Sequence, residues 1–320
     1  MSPTAWQTII NFIEYWNINI INTIFFTLNT FVIIGATLMH FTNFKLPERA
    51  KEFFLFGKYA LYSSRKSILT VPKSWISYTY LMGSILSLCY IYLVIEMYIF
   101  QSKLPKFVAI LLNILAGGKN RKVILNSTEC LIVTVLMGLQ CARRAYETIF
   151  IQIFSKNSRL DMRHYLLSFC IYFVLMPVLV ANAEGFVEGS TTSPIDLLEL
   201  SLIQYCSILV FLFCWWQQYQ TNLILIYLRK EKISGKLITE KHLLPRGGYF
   251  ERVSSPHMLF EIGIYVSLLF GFFRGSITWW LLAISVISNQ IYIAIQTHIW
   301  YKENFKNYPC NRKAILPFIL

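Results

Sequence analysis

Residues 277–300 read ITWWLLAISVISNQIYIAIQTHIW, and residues 301–320 follow without a linker as YKENFKNYPCNRKAILPFIL. A helix crossing roughly 30 Å of hydrocarbon needs about 20 apolar residues, and the first stretch satisfies that. The second is a cluster of Tyr, Lys, Asn and Arg that closes on bare hydrophobic residues, an unusual sequel to a span. Working back toward the N-terminus, the same length criterion gives seven spans, near 18–41, 75–99, 122–142, 164–184, 197–218, 257–273 and 277–299. The last two are joined by FFRGS (272–276) and read as a helical hairpin. Over 320 residues the chain is 56% hydrophobic and 14% charged, too apolar for a soluble domain to hide. The expected fold is all-α, a polytopic seven-transmembrane helix bundle. Its segments are 1–74 (first span and a basic loop), 75–199 (central spans) and 200–320 (the C-terminal region).

A formal charge of +13 raises the question of nucleic acid, but the cations sit between hydrophobic runs, where they act as loop charges beside anionic lipid. Arg49, Lys51, Lys58, Arg65, Arg159, Arg163, Arg229, Lys230, Arg246 and Arg252 fall in loops on one side. AEGFVEGSTTSPID (183–196), on the other side, is purely acidic. Excess Lys and Arg marks the cytosolic side, so the N-terminus is expected in the lumen and the C-terminus in the cytosol. The loop 100–121, with Lys103, Lys106, Lys119 and Arg121, runs against that pattern, and KFVAILLNILAGG (106–118) within it reads as a half-buried re-entrant segment. No signal peptide with a basic start and compact apolar core is visible, so the first span is expected to direct its own insertion. The cysteines are odd in number and lack CxxC or Cys/His spacing, so no metal site is expected. The sequon Asn126-Ser127-Thr128 falls at the outer membrane edge, close to lipid.

Ionised groups within spans cost about 2.5–3.5 kcal/mol each on insertion scales, so they mark a bundle interior or a cavity. In QCARRAYETIF (140–150), Arg143 and Arg144 lie four and three residues before Glu147 and can pair with it on one helical face. Helix-end anchoring and a guanidinium held to meet a phosphate are both open readings. Gln218, Asn222 and Arg229 form a stripe at spacings of four and seven, suited to interhelical hydrogen bonds or to a ligand. In LLPRGGYFERVSSPHMLFEIGIYVS (243–267), Pro256 opens a helix that carries His257, Glu261 and Tyr265 one turn apart, with Arg246 and Arg252 near its anion-attracting N-terminus. Glu96 and Glu129 lie toward the outer side, as interface residues or as a proton source. His298 and Tyr301 lie at the inner end of the last span, where an aromatic belt also accounts for Trp300 and Tyr301.

The tail WYKENFKNYPCNRKAILPF (300–318), PRGGYFERVSSPHMLFE (245–261), QCARRAYETIF and VPKSWISYTY (71–80) together resemble the steroid 5α-reductase family, most closely its polyprenol (polyprenal) reductase branch. The similarity is densest over 200–320 and collinear back to about residue 56. It implies a multi-pass enzyme of the endoplasmic reticulum membrane, with no obligate protein partner. Such an enzyme uses NADPH, held in a cavity open to the cytosol, to reduce a carbon–carbon double bond conjugated to a carbonyl in a long-chain isoprenoid lipid. The residues carried over for the cofactor are Arg144, Gln218, Asn222, Arg229, Arg246, His257, Glu261, Tyr301 and Arg312. His257 stands where relatives usually have Asn, and Gln218 and Asn222 where steroid-acting members tend to show Asn and Asp. On this reading the YPCNRK turn is a basic lid over the cofactor's phosphates, and AILPFIL packs onto the bundle.

Hydride adds to an alkene only if negative charge can delocalise onto an oxygen that is hydrogen-bonded as the enolate forms. An allylic alcohol has no such sink, so the expected substrate is the aldehyde, polyprenal going to dolichal. Tyr301, Tyr265, Tyr80 and Glu96 are the candidate carbonyl-polarising or proton-donating groups. Rival readings are a 3-oxo-steroid 5α-reductase, a trans-2-enoyl-CoA reductase, an isoprenylcysteine methyltransferase-like enzyme, a seven-helix receptor and a transporter. The internal repeats a transporter favours are absent.

Overall fold

A computed structural model describes residues 8, 18–41, 69–118, 121–155, 158–231, 236–239 and 242–320. The predicted basic loop with Arg49, Lys51, Lys58 and Arg65 lies outside the described residues, as does Lys119. The long helices are α1 (Ile20–Phe41), α2 (Ile76–Tyr98), α3 (Lys106–Ala116), α4 (Ser127–Tyr146), α5 (Met162–Val180), α6 (Leu202–Tyr227), α7 (Pro256–Phe272) and α8 (Ile277–Asn304). Two three-residue strands, β1 (Thr70–Pro72) and β2 (Arg159–Asp161), pair antiparallel with Pro72 opposite Arg159, a small addition to the expected all-α fold.

Each predicted segment coincides with a helix, but among the described residues four stretches qualify by length and apolarity as membrane spans: Ile20–Leu38, Lys73–Tyr98, Met162–Val180 and Ile277–Asn304. α7 is a shorter apolar helix, as is α3 in the predicted re-entrant segment. α4 and α6 fall outside both groups. They carry polar side chains inward, Gln140, Arg143 and Arg144 on α4 and Gln204, Gln218 and Thr221 on α6. Seven spans is therefore more than composition alone supports: α7 falls short by length, and α4 and α6 by their buried polar groups.

Local chemistry starts the helices where they start. Asn126 caps α4 by accepting from Glu129 N (2.8 Å) while Glu129 Oε2 accepts from Asn126 N (2.9 Å). This reciprocal box satisfies two backbone donors, and it is where the sequon's asparagine is engaged. Ser201 and Gln204 form the same box on α6, Asp161 caps α5, Ser276 caps α8, and Pro256 takes the first turn of α7. α7 turns into α8 through the predicted hairpin, where the Phe273 and Trp279 rings stack at 4.0 Å.

α2, α4 and α5 pack together, and α6, α7, α8 and α1 form a second group. Asn29 ties α1 to α8, donating to Leu281 O (2.9 Å) and accepting from Ser285 Oγ (2.6 Å). α6 and α7 approach closely over Gly263, where an added Cβ would meet Cys214 Sγ at 2.5 Å, and over Gly271, against Ser207. The groups meet where Gln140 of α4 reaches Gln218 of α6 and Glu261 of α7.

Alternating helix directions give the bundle two unlike ends. One, the capped end, gathers the starts of α4 and α6 and the loop 181–201, with Tyr98 OH donating to Glu184 O (2.8 Å). There Arg121 is buried, donating to the carbonyls of Ala181 (2.9 Å), Gly118 (2.9 Å) and Phe186 (2.8 Å) and to Asn113 Oδ1 (2.7 Å). A cation used in this way no longer counts as a free loop charge, which removes part of the conflict in the 100–121 loop. The other, the tail end, holds the β1–β2 ladder, the start of α7 and the C-terminal tail. The tail runs beside residues 252–255, with Ser254 N donating to Lys313 O (2.8 Å) and Lys313 N to Arg252 O (3.0 Å). Ala314 and Ile315 are buried, but Phe318 and Ile319 are 84% and 77% exposed, so only the first part of AILPFIL packs onto the bundle.

Candidate functional site

The tail end of α4 does not stop at Tyr146 but widens into a π-helical turn, Glu147–Ile151, that brings Glu147 into the bundle with 1% exposure. Two guanidiniums converge on it. Arg143 Nη1 donates to Oε1 at 2.8 Å, and Arg144 Nη1 pairs with Oε2. Asn222 of α6 donates to the same Oε2 (3.0 Å). Arg143 also donates to Gln140 Oε1 (2.7 Å) and to Gln218 Oε1. Gln218 in turn donates to Glu261 Oε2, which also accepts from Gln140 Nε2 at 3.1 Å. Two cations and two carboxylates from α4 and α7, linked by the amides of α6, thus share one continuous network. A buried pair is tolerated only when its remaining donors and acceptors are engaged, as they largely are here.

Tyr80 of α2 completes the network. Arg144 Nη2 donates to its hydroxyl (3.2 Å), and the guanidinium lies over its ring at 4.8 Å. Tyr172 meets the Tyr80 ring edge-on at 5.9 Å. Tyr265, one turn beyond Glu261, is buried and stacked on Trp279 at 6.5 Å.

Beside the network, toward the tail, is a cavity of about 740 Å³, a size ordinary for a small-molecule or cofactor site. Arg229, His257 and Tyr301 line it, together with Lys73, Arg159 and Trp300. Arg229 Nη2 is buried without a hydrogen-bond partner. An orphaned guanidinium nitrogen in such a wall fits an anionic ligand.

The tail closes one side of this region. Ser254 Oγ, His298 Nδ1 and Tyr308 OH form a mutual cluster, with Ser254 2.7 Å and Tyr308 2.8 Å from the imidazole nitrogen. Tyr308 stacks on Tyr301 (6.2 Å), and Arg312 lies over Tyr308 at 5.4 Å. Arg312 donates to Pro245 O (3.1 Å), stands 3.9 Å from Glu251 Oε2, and has buried Nε and Nη2 without hydrogen-bond partners. Burial pulls the pKa of its guanidinium down from the ordinary value, and burial pushes that of the Tyr308 phenol up. Exposed Arg246 stands within electrostatic reach of Arg312.

The candidate residues therefore fall into three adjoining sets. Arg144, Gln218, Asn222 and Glu261 join the network with Tyr80; Arg229, His257 and Tyr301 line the cavity; Arg246 and Arg312 lie at the tail latch. Tyr265 packs on Trp279 one turn from Glu261, outside these sets, and Glu96 lies far from all of them. Glu96 lies at the capped end of α2, accepting from Ser102 Oγ (2.9 Å), and its position sixteen residues on from Tyr80 puts about 24 Å of helix between them. The sequence reading missed Lys73 and Arg159 as lining residues, and Gln140 as the bridge between the helix groups.

The family model for 3-oxo-5-alpha-steroid 4-dehydrogenase matches residues 166–320. A polyprenal reductase of Drosophila melanogaster is 37% identical over 97% of this chain and 96% of its own length. A polyprenal reductase of Caenorhabditis elegans is 30% identical over 79% of this chain and 80% of its own length. The polyprenal reductase of Homo sapiens is 29% identical, over 78% of each chain.

Proposed function

Because the chain belongs to the 3-oxo-5-alpha-steroid 4-dehydrogenase (steroid 5α-reductase) family, among its polyprenal reductases, we propose that it reduces the α,β-double bond of polyprenal to give dolichal, using NADPH, at the endoplasmic reticulum membrane. It is a multi-pass membrane oxidoreductase acting on a conjugated carbon–carbon double bond. The supporting observation is the meeting, at one end of the bundle, of a buried four-charge network with a cavity whose described lining carries cations and aromatic rings but no carboxylate. In this reading all seven predicted helices cross the bilayer, the N-terminus is lumenal, and the tail end opens to the cytosol.

NADPH, when bound, supplies the hydride for the β carbon of the enal. Arg229, His257 and Tyr301 hold it from the cavity wall, and Arg246 and Arg312 add positive charge from the latch. Negative charge then collects on the aldehyde oxygen and must be met by a donor, and a proton drawn from water at the α carbon completes the saturated aldehyde. Tyr80 suits that role best: its oxygen accepts from Arg144, which leaves its own proton to donate, and the guanidinium over its ring holds the hydroxyl in place. Tyr265, stacked on Trp279, and Tyr301, packed among Trp300, Phe305 and Tyr308, are placed to shape the site. Glu147 and Glu261 act as positioning residues. Glu147 holds Arg144, while Glu261 holds Gln218 and Gln140 across the junction of the helix groups.

The purified chain in detergent, given NADPH with polyprenal, polyprenol or a 3-oxo-4-ene steroid, tests the reading. NADPH oxidation with formation of dolichal from the aldehyde, and none from the alcohol, is the expected outcome. Direct consumption of polyprenol, or turnover of the steroid alone, overturns it.

A further inference from the structure

The cavity has two unlike walls. Toward α8 it is aromatic, with Trp300, Tyr301 and Phe305. On the side of the β1–β2 ladder it is cationic, with Lys73 and Arg159, and Arg229 contributes from the end of α6. Lys73 lies within electrostatic reach of Arg229. The contrast with the other arginines is informative: Arg143 and Arg144 share Glu147, Arg163 pairs with Asp161 at 2.9 Å, and Arg312 stands near Glu251. Lys73 and Arg159 are exposed and Arg229 is half-buried; three like charges around one cavity repel one another, and an anion between them relieves that repulsion.

The ladder fixes two of the three. Pro72 sits opposite Arg159 and Lys73 N donates to Ser158 O at 3.0 Å; strict alternation would send neighbouring ladder positions to opposite faces, but Lys73 opens a 3-10 turn as the strand ends, and both cationic side chains line the cavity. Arg159 is further braced by donating to Thr70 Oγ1 (3.2 Å) and Thr70 O (3.3 Å). Such a fork suits a group with several strong acceptor oxygens and more than one negative charge, which describes a phosphomonoester, at about −1.5 to −2 near neutral pH. Within a nicotinamide dinucleotide, the group of that kind is the phosphate on the adenosine ribose that distinguishes NADPH from NADH.

We infer that the β1–β2 ladder forms the subsite for this phosphate, with Lys73 and Arg159 as the residues that select NADPH over NADH and Arg229 opposite them. The inference rests on the cofactor reading above. Its test is steady-state kinetics of wild type, Lys73→Met, Lys73→Arg and the double variant K73M/R159Q with each dinucleotide and polyprenal. The expected result is a KM for NADPH raised about tenfold or more in K73M and further in the double variant, at nearly unchanged kcat. NADH parameters should move less than about twofold, and Lys73→Arg should keep most of the preference. Equal weakening of both dinucleotides would assign the cluster to phosphates they share and overturn the inference, as would no change in either. Wild type that oxidises neither dinucleotide overturns the cofactor reading itself. Thermal unfolding of each variant separates these outcomes from misfolding, and the single variant at Lys73, whose side chain braces no backbone, carries the test if the double variant does not fold.

Discussion

The two ends of the bundle both bury charge, and they use it differently. At the capped end Arg121 is surrounded by carbonyls of the loops it ties down, Glu129 belongs to a helix cap and to Gln204, and Glu184 accepts from Ser127 and Ser193. These partners are loops and helix starts, so the charges fasten the ends of elements. At the tail end the partners lie deep on different helices, the network spans both helix groups, and next to it is a cavity with unmatched cations. Burial of an ionisable group in a membrane protein is thus a weak sign of function by itself. Convergence from several helices, with charge left over beside a cavity, is the stronger one.

Substitutions at the two ends sharpen the contrast, and the largest effect is expected at Glu147. Glu147→Ala leaves two guanidiniums without their shared carboxylate, which should cost about 3–5 kcal/mol and abolish turnover. Adding Arg143→Met should recover part of the stability and none of the activity, as thermal unfolding set beside NADPH oxidation will reveal. Recovered activity would make the network merely structural.

Tyr80→Phe comes next. Loss of one donor to a developing oxyanion typically lowers kcat by about 10²–10³-fold, and this should appear with the affinity for NADPH retained. Unchanged kcat would move the role to Tyr265 or Tyr301.

The smallest effect belongs to the capped end. Burial alone would raise the Glu184 carboxyl pKa, but hydrogen bonds from Ser193 and Ser127 outweigh it and hold the carboxyl below its ordinary range. A depressed folded-state pKa stabilises the protein above the unfolded carboxyl pKa, about 4.3, and that contribution disappears as pH falls through the folded value. Glu184→Gln should therefore melt slightly lower near neutral pH, by about 1 kcal/mol after solvent screening, with the gap closing in acid and kcat unaffected. A large activity loss would show that the two ends are not separable.

Much of the tail end was legible because helical periodicity is local. The spacings Arg143–Glu147, Gln218–Asn222 and His257–Glu261 put side chains on one face before any tertiary contact is known. Lys73 and Arg159 were out of reach, since two three-residue strands far apart in sequence have too few residues to announce their pairing. Glu129 was read toward the outer side, where it lies, but its capping role in Asn126-x-x-Glu129 went unread although the box pattern is local. Glu96 was weighed by burial within a span, and helix length alone sets it far from Tyr80. The tail's apolar end was read as packing because it is hydrophobic, yet in a membrane protein Phe318 and Ile319 can remain exposed toward lipid.

The most direct test of where the dinucleotide sits is photolabelling with an azido-adenine analogue of NADPH, followed by peptide mapping. Label competed by NADPH should fall on residues 152–155, 158–159, 225–229 and 254–258, around the cavity. Competed label on residues 113–118, 121–129 or 181–204, at the capped end, would contradict the assignment of the site.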